Sequence, residues 1–377
     1  MKTKIIANYL PQYHSIPEND LWWGKGYTDW VAVRNSKPLF KGHKQPRIPI
    51  DNNYYDLSEI ESIRCQVDLA NKYGVYGFGI YHYWFSNNLR LLEKPAEIIK
   101  DNIDLNIHYM FIWDNSSWKR TWSNVEFAND WAPLYDNEYK EKKCGGYLAE
   151  LRYGDENDWR NHFEYLVPYF KDNRYIKIND KPVFAFFCPD NNNEIVKKMC
   201  SYWNEIAPNY GIPGILCLGR KIDGLKCNID GEILYEPHWS GWVTNDLSCR
   251  IRNKIKNIRH KLFNQPIIEN YDRIWKKLIS NAEKYSNDKI YYSAFVSYDD
   301  TPRRGNKGRV ILGATPELFE NNIRKLLSLS EKNKKEFLFL TAWNEWGEGA
   351  YLEPDTENKY AYLNALKRAI KTVEDVY

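Results

Sequence analysis

Eight short runs of apolar, β-branched or aromatic residues recur along the chain, each set off from the next by a more polar stretch. They are KIIANYL near Lys4, VYGFGIYHYWF from Val75, IHYMFIW from Ile107, KPVFAFF from Lys181, GILCLG from Gly214, GEILYE from Gly231, KIYYSAFVSY from Lys289 and EFLFLTAW from Glu336. Helix-like segments fill the spaces between them: Leu57–Tyr73, with Ser58 and Glu61 placed as a capping box, and Pro316–Ser330 behind a Thr315 cap. A last helix is predicted over Asn358–Val373. Apolar runs alternating with helices are the pattern of a parallel sheet with crossover helices.

Eight strand–helix units without a break in composition predict an α/β fold, one (β/α)8 (TIM) barrel occupying residues 1–377 as a single domain. A barrel takes about 250 residues, which leaves roughly 120 for elaboration. Two connections are long enough to hold them, about 114–180, rich in Trp, and about 237–288, rich in Lys and Arg. Both follow a strand, so both are expected over the C-terminal face, where such barrels keep their chemistry.

Six of the eight strand ends carry clustered polar and aromatic residues, whereas the strand bodies are nearly free of charge. The clusters are NYLPQYH (8–14), YHYWF (81–85), WDN (113–115), YEPHW (235–239), SYDD (297–300) and WNEWGEG (343–349). A polar residue at one strand exit is ordinary; their coincidence at one face predicts a concave site. The candidate substrate-contacting residues are Tyr9, His14, His82, Tyr83, Trp84, Trp113, Asp114, Glu236, His238, Asp299 and Asn344, with Trp22 and Trp23 beside them. At least two of Trp22, Trp23, Trp84 and Trp113 are expected to line the cleft as stacking platforms.

Composition narrows the partner. The net charge of +3, from 53 basic and 50 acidic residues, gives no reason to expect nucleic acid. The 29 Tyr and 15 Trp offer faces that stack on a ligand while an OH or NH stays available, which fits a carbohydrate. The seven cysteines form no CxxC pair, so reduced thiols are expected, with neither a disulfide framework nor a zinc site. The N-terminal MKTKIIANYLPQYH lacks the apolar core of a signal peptide, and no run is long enough to span a membrane. A cytoplasmic protein is the expectation, although a processed secreted form would read the same.

The densest cluster is TAWNEWGEGAYLEPD, Thr341–Asp355. Glycosidic cleavage commonly uses two carboxyl groups, one neutral to protonate the leaving oxygen and one ionised as base or nucleophile. Glu345 and Glu348 are three apart, a spacing that puts both side chains on one side of a turn. They are the candidate catalytic pair, and their proximity among tryptophans is expected to raise and couple their pKa values. The plain alternative is a salt-bridge partner and a helix N-terminal acid. Glu353 is expected to contact a sugar hydroxyl or to cap the last helix. His82, His238, Asp114 and Glu236 could approach one another, but no HExxH or similar spacing occurs, so no metal is expected. No cofactor is expected either.

NYLPQYH, WWGKGYTDW (22–30), GIYHYWF with LLEKP (91–95), and WNEWGEGAYLEPD together resemble the WbsX family, whose barrel is similar to glycoside hydrolase family 99. The resemblance runs from the first strand to the last helix. It implies a retaining mechanism in which Glu345 deprotonates the substrate's own 2-hydroxyl, giving a 1,2-anhydro sugar, and Glu348 serves as general acid and then base. The resemblance departs at Gly347, where family 99 enzymes usually carry a His that shapes a mannose site. Mannose specificity therefore does not carry over.

Three functions follow. The leading one is a retaining glycoside hydrolase acting on a bacterial surface polysaccharide or oligosaccharide. The second is a glycosyltransferase of surface-polysaccharide (O-antigen or capsule) biosynthesis. Neither a Gly-rich phosphate loop nor a DxD motif supports the transferase, but the basic RIRNKIKNIRHK (250–261) could meet a lipid diphosphate or an anionic membrane, its alternative being a solvated helix face. The third, a non-catalytic carbohydrate-binding barrel, is disfavoured by the retained glutamates.

Overall fold

The computed structural model describes residues 2–119, 147–190, 192–222, 229–243 and 262–376, together with residues 251, 254, 256, 258 and 260. Each of the eight apolar runs forms a strand: β1 (Lys4–Tyr9), β2 (Gly77–Ser86), β3 (His108–Trp113), β4 (Lys181–Phe186), β5 (Leu216–Arg220), β6 (Gly231–Ile233), β7 (Ile290–Phe295) and β8 (Phe337–Thr341). Successive strands pair in parallel, and β1 pairs with both β2 and β8. Ile6 stands opposite Gly77 on one side and Phe339 on the other, so the sheet closes into an eight-stranded barrel.

Around it lie the helices α1 (Pro17–Trp23), α2 (Asp29–Asn35), α3 (Ile60–Tyr73), α4 (Lys94–Asp101), α5 (Glu156–Phe170), α6 (Asn193–Ile206), α7 (Tyr271–Lys284), α8 (Pro316–Lys332) and α9 (Ala361–Glu374). The α8 cap forms as expected, Thr315 accepting from Leu318 N at 3.2 Å. The α3 capping box does not. Asp56 Oδ1 takes both the backbone N and the hydroxyl of Ser58, each at 2.7 Å, which holds that residue in a turn, and the helix begins at Ile60.

The connection between β5 and β6 is residues 221–230, of which 223–228 lie outside the described residues. The two long connections are only partly elaboration, since they contain the barrel helices α5 and α7. Residues 120–146 and 244–250 lie outside the described residues. Apart from these helices, described residues of both connections reach the strand exits. Trp118 packs edge-on against Tyr83 and Phe85 at the exit of β2, and Trp242 lies 5.4 Å from Tyr298 beyond β7.

Candidate active site

Beyond β8 the chain turns back on itself. Asn344–Glu345 pairs antiparallel with Ala350–Tyr351, and Trp346–Glu348 forms a single 3-10 turn between them. Gly349 closes the turn at φ +54°, and a side chain there would meet Asp299 Cβ at 2.9 Å. Asp299 N donates to Glu348 O at 2.6 Å, joining the turn to the exit of β7.

One guanidinium organises the carboxylates of this turn. Arg303, in a helical turn just past β7, donates through Nη1 to Glu348 at 2.9 Å and through Nη2 to Glu345 at 3.1 Å. Its Nε and Nη2 also reach the two oxygens of Asp29, the first residue of α2, at 3.1 and 3.0 Å. Glu345 is buried, whereas the Glu348 side chain is 24% exposed. Burial pushes the Glu345 carboxyl up to about 8; Arg303 opposes this, and the charges of Glu348 and Asp29 add to it. The pair is thus electrostatically inequivalent, one member sequestered and one open to a ligand.

The opposite wall is aromatic. Tyr81 of β2 and Tyr235 beyond β6 bring their hydroxyls to 3.2 Å, and the Phe187 ring stands edge-on to both. Burial and the charges of Glu345 and Glu348 raise both phenols, so each stays a neutral hydrogen-bonding OH. Asn8, Phe187, Arg220 and Tyr235 line a small cavity of about 20 Å³.

With this geometry in place, comparison with known proteins is informative. The family model described as "Glycosyltransferase WbsX" matches residues 5–366. The chain belongs to the WbsX family. Two strains of Xanthomonas campestris pv. campestris carry an uncharacterised protein, WxcX, that is 28% identical over 99% of the chain. The chain spans about half the length of these curated relatives, 50% of each. Among solved structures, a GH99 endo-α-mannosidase from Bacteroides thetaiotaomicron in complex with bis-tris-propane superposes with a TM-score of 0.60 at 14% identity, covering 99% of this chain and 97% of that one. A second structure of the GH99 endo-α-mannosidase from the same organism gives 0.57 at 15%, covering 98% and 96%. At these identities the likeness is one of fold.

The WbsX barrel gathers some of the expected residues at its mouth and directs others elsewhere. Tyr83 lies within the field of Glu345, Asp29 and Asp114. Asp114, half-buried and raised by burial, accepts from Ser116 at 2.6 Å. Trp22 packs against Trp118, and Trp23 packs against Tyr27, whose phenol lies in the field of Asp29 and Arg303. His238, half-buried, stands edge-on to Trp242, and burial with Arg220 and Arg309 lowers it to about 3.

His82, Trp84 and Trp113 face the helix layer instead. Trp84 stacks on His162 of α5 at 4.3 Å, Trp113 stands edge-on to the same ring at 4.8 Å, and His82 Nε2 meets His162 Nε2 at 2.9 Å. Side chains alternate along a strand, so with Tyr81 and Tyr83 turned to the mouth, His82 and Trp84 turn outward. Of the four tryptophans from which at least two were expected in the cleft, Trp84 and Trp113 are core. Tyr9 also faces outward, donating to Gln66 of α3 at 2.7 Å.

The other candidates are engaged internally. Both amide atoms of Asn344 bond the backbone of Leu10, at 2.7 and 3.0 Å. Asp299 accepts from His43, Gln45 and Thr301, which tie the segment before α3 to the exit of β7. Glu236 is buried against Ser240, whose N and hydroxyl it accepts, and burial raises it to about 8. His14 is buried beyond β1 in the field of Asp56, Glu93 and Lys94. Glu353 neither caps the last helix nor faces the mouth: it accepts from Tyr55, Gln66 and Trp346, and Asp355 takes the Asn358 N.

Asp29, Arg303, Tyr81, Arg220 and Tyr235 did not emerge from the sequence as site residues. Asp29 lies inside WWGKGYTDW and Arg303 three residues past SYDD, so both adjoin motifs that stood out. What the sequence lacked was any sign that residues 274 apart form one ion pair.

Proposed function

We propose that this protein is a retaining glycoside hydrolase acting on a bacterial surface polysaccharide or oligosaccharide through Glu345 and Glu348. The observation that carries this reading is the convergence of the two carboxylates on Arg303, one sequestered and one exposed. In the substrate-assisted route, Glu345 removes the proton of the sugar's 2-hydroxyl, and O2 attacks C1 while Glu348 protonates the departing glycosidic oxygen. Glu348, now ionised, takes a proton from the water that opens the 1,2-anhydro sugar, and Glu345 returns its proton to O2. Arg303 stabilises whichever carboxylate is ionised at each stage. A base whose pKa is about 8 is matched to proton transfer near neutral pH.

A second reading is supported by the family description and by one surface feature. Ile251 and Ile258 are exposed beside Lys254 in the basic stretch 250–261, for which membrane contact and a solvated helix face are the alternatives, and Leu262 and Phe263 are exposed just past it. An apolar and basic surface suits contact with an anionic bilayer carrying a lipid-linked acceptor, as a glycosyltransferase would need. Part of 250–261 lies outside the described residues, and among the described residues no helix is long and apolar enough to cross a membrane. The deciding experiment incubates the protein with the surface glycan of its source, with and without nucleotide sugars, and reads products by mass spectrometry. Shortened glycan without nucleotide sugar supports the hydrolase; extension that requires nucleotide sugar overturns it in favour of the transferase.

A further inference from the structure

One cation at the mouth has no part in the two-glutamate chemistry. Arg220 ends β5, and its guanidinium lies 4.9 Å from the centroid of Phe187. Other cations beyond the strand ends are paired: Lys221 with Glu232, Arg309 with Glu269, Arg304 with Asp300, and Arg303 with its three carboxylates. Among the described residues Arg220 makes no ion pair and no side-chain hydrogen bond, although it is half-buried. A guanidinium carries five donors and no acceptor, so partly withdrawing it from water with none of them engaged costs free energy that a ligand can recover.

The surroundings of Arg220 specify that ligand further. With Tyr235 it lines a cavity of about 20 Å³, room for a single water, against the buried Asn8, so a larger ligand meets Arg220 from the mouth side. Across Phe187 stand the Tyr81 and Tyr235 hydroxyls, which lie in turn within the field of Glu345 and Glu348. Four titratable groups lie in the field of Arg220: Asp114 already accepts from Ser116, burial raises the Cys188 thiol and the Tyr235 phenol so that both stay protonated, and His238 is neutral. The wall therefore presents a planar cation and two phenols next to the Glu345–Glu348 pair.

We infer that Arg220 and the Tyr81–Tyr235 pair form a subsite for an acidic sugar, a hexuronic acid whose carboxylate is held by the Arg220 guanidinium. The fork of Arg220 matches a carboxylate in two parallel hydrogen bonds, and the two phenols can donate to or accept from ring hydroxyls. The inference rests on reading this mouth as a carbohydrate site, and it names the class of sugar that the site selects.

The test is binding, not turnover, so it stands apart from the two-glutamate mechanism. Glucuronate, galacturonate and mannuronate are titrated against the full chain, each beside its neutral hexose, by ligand-observed NMR. At least one hexuronate should bind ten-fold or more tighter than its hexose. Arg220→Gln should abolish that preference, and Arg220→Lys should keep part of it. Equal binding of acid and neutral sugars, no binding by any hexuronate, or an acid preference that survives in a folded Arg220→Gln protein would each overturn the inference. If the preference holds while no glycan is cleaved, the hydrolase reading fails and the subsite stands.

Discussion

Arg303 lies so close over Gly347 that a Cβ built on that glycine would stand 2.5 Å from the Arg303 Nε and 2.4 Å from Asp29 Oδ2. The absence of a side chain at 347 is what lets the Asp29–Arg303 pair reach between the two glutamates.

Gly347→Ala should therefore be destabilising, although residue 347 is not in the left-handed region and alanine is ordinarily tolerated there. Overpacking a filled site costs about 1–3 kcal/mol, read as a lowered midpoint in thermal unfolding. An unchanged midpoint would mean that Arg303 moves aside freely, and that the clamp on Glu345 and Glu348 is loose.

Glu345→Gln and Glu348→Gln keep the shape of the turn and remove proton transfer, a contribution of about 10²- to 10⁴-fold. Both variants should fold, bind glycan and lose nearly all turnover. Glu348→Gln should regain rate on substrates with a good leaving group, because departure then needs no acid, whereas Glu345→Gln should not. Near wild-type kcat in both variants on an identified substrate would remove the pair from the mechanism.

The raised Glu345 carboxyl sets a pH signature. As a base it must be ionised, so kcat/KM should climb with pH through an apparent value near 8. Arg303→Met, which removes the opposing cation, should move that limb to higher pH. A flat profile between pH 6 and 9 in the wild type would contradict the assignment.

Glu236 offers the matching test on stability. Its carboxyl is raised to about 8 by burial, so between its ordinary value near 4.5 and 8 the folded state holds a proton that the unfolded state has released. Stability from this group is accordingly lost as pH rises through that window. Glu236→Gln, which resembles the protonated form, should match the wild type near pH 5 and exceed its thermal midpoint by a margin that widens toward pH 9. A constant difference across this range would show that Glu236 does not titrate on unfolding.

Trp84 and Trp113 lie in the barrel–helix layer, and Trp22 and Trp23 lie beside the mouth. Trp84→Ala should cost about 3–5 kcal/mol as a core truncation, with glycan affinity unchanged in the protein that stays folded. Trp23→Ala should show the reverse, weaker glycan binding with little change in midpoint. Titrations and melts on both variants separate the two roles.

How much of this was legible beforehand depended on whether the signal was local. The eight strands, the Thr315 cap and the position of the Glu345–Glu348 turn follow from apolar runs and short-range spacing, which act within a few residues. The facing of β2 was not local. Gly77–Phe85 is buried on both sides, so its sequence shows no apolar–polar alternation to say whether Tyr81 or His82 turns to the mouth. Only the partners told them apart, His162 of α5 on one side and Tyr235 on the other.

By itself, then, the sequence determined where strands begin and end, and that carboxylates and aromatics crowd their C-terminal ends, because burial and turn chemistry are written residue by residue. The tertiary structure alone decided which of those residues share a site. Closure of β1 on β8 brings Asp29 and Arg303 together over Gly347 and makes one electrostatic unit of three carboxylates and a guanidinium. Long-range pairing of this kind is fixed by barrel registration and by which face of each strand meets the helices, and no single segment carries that information.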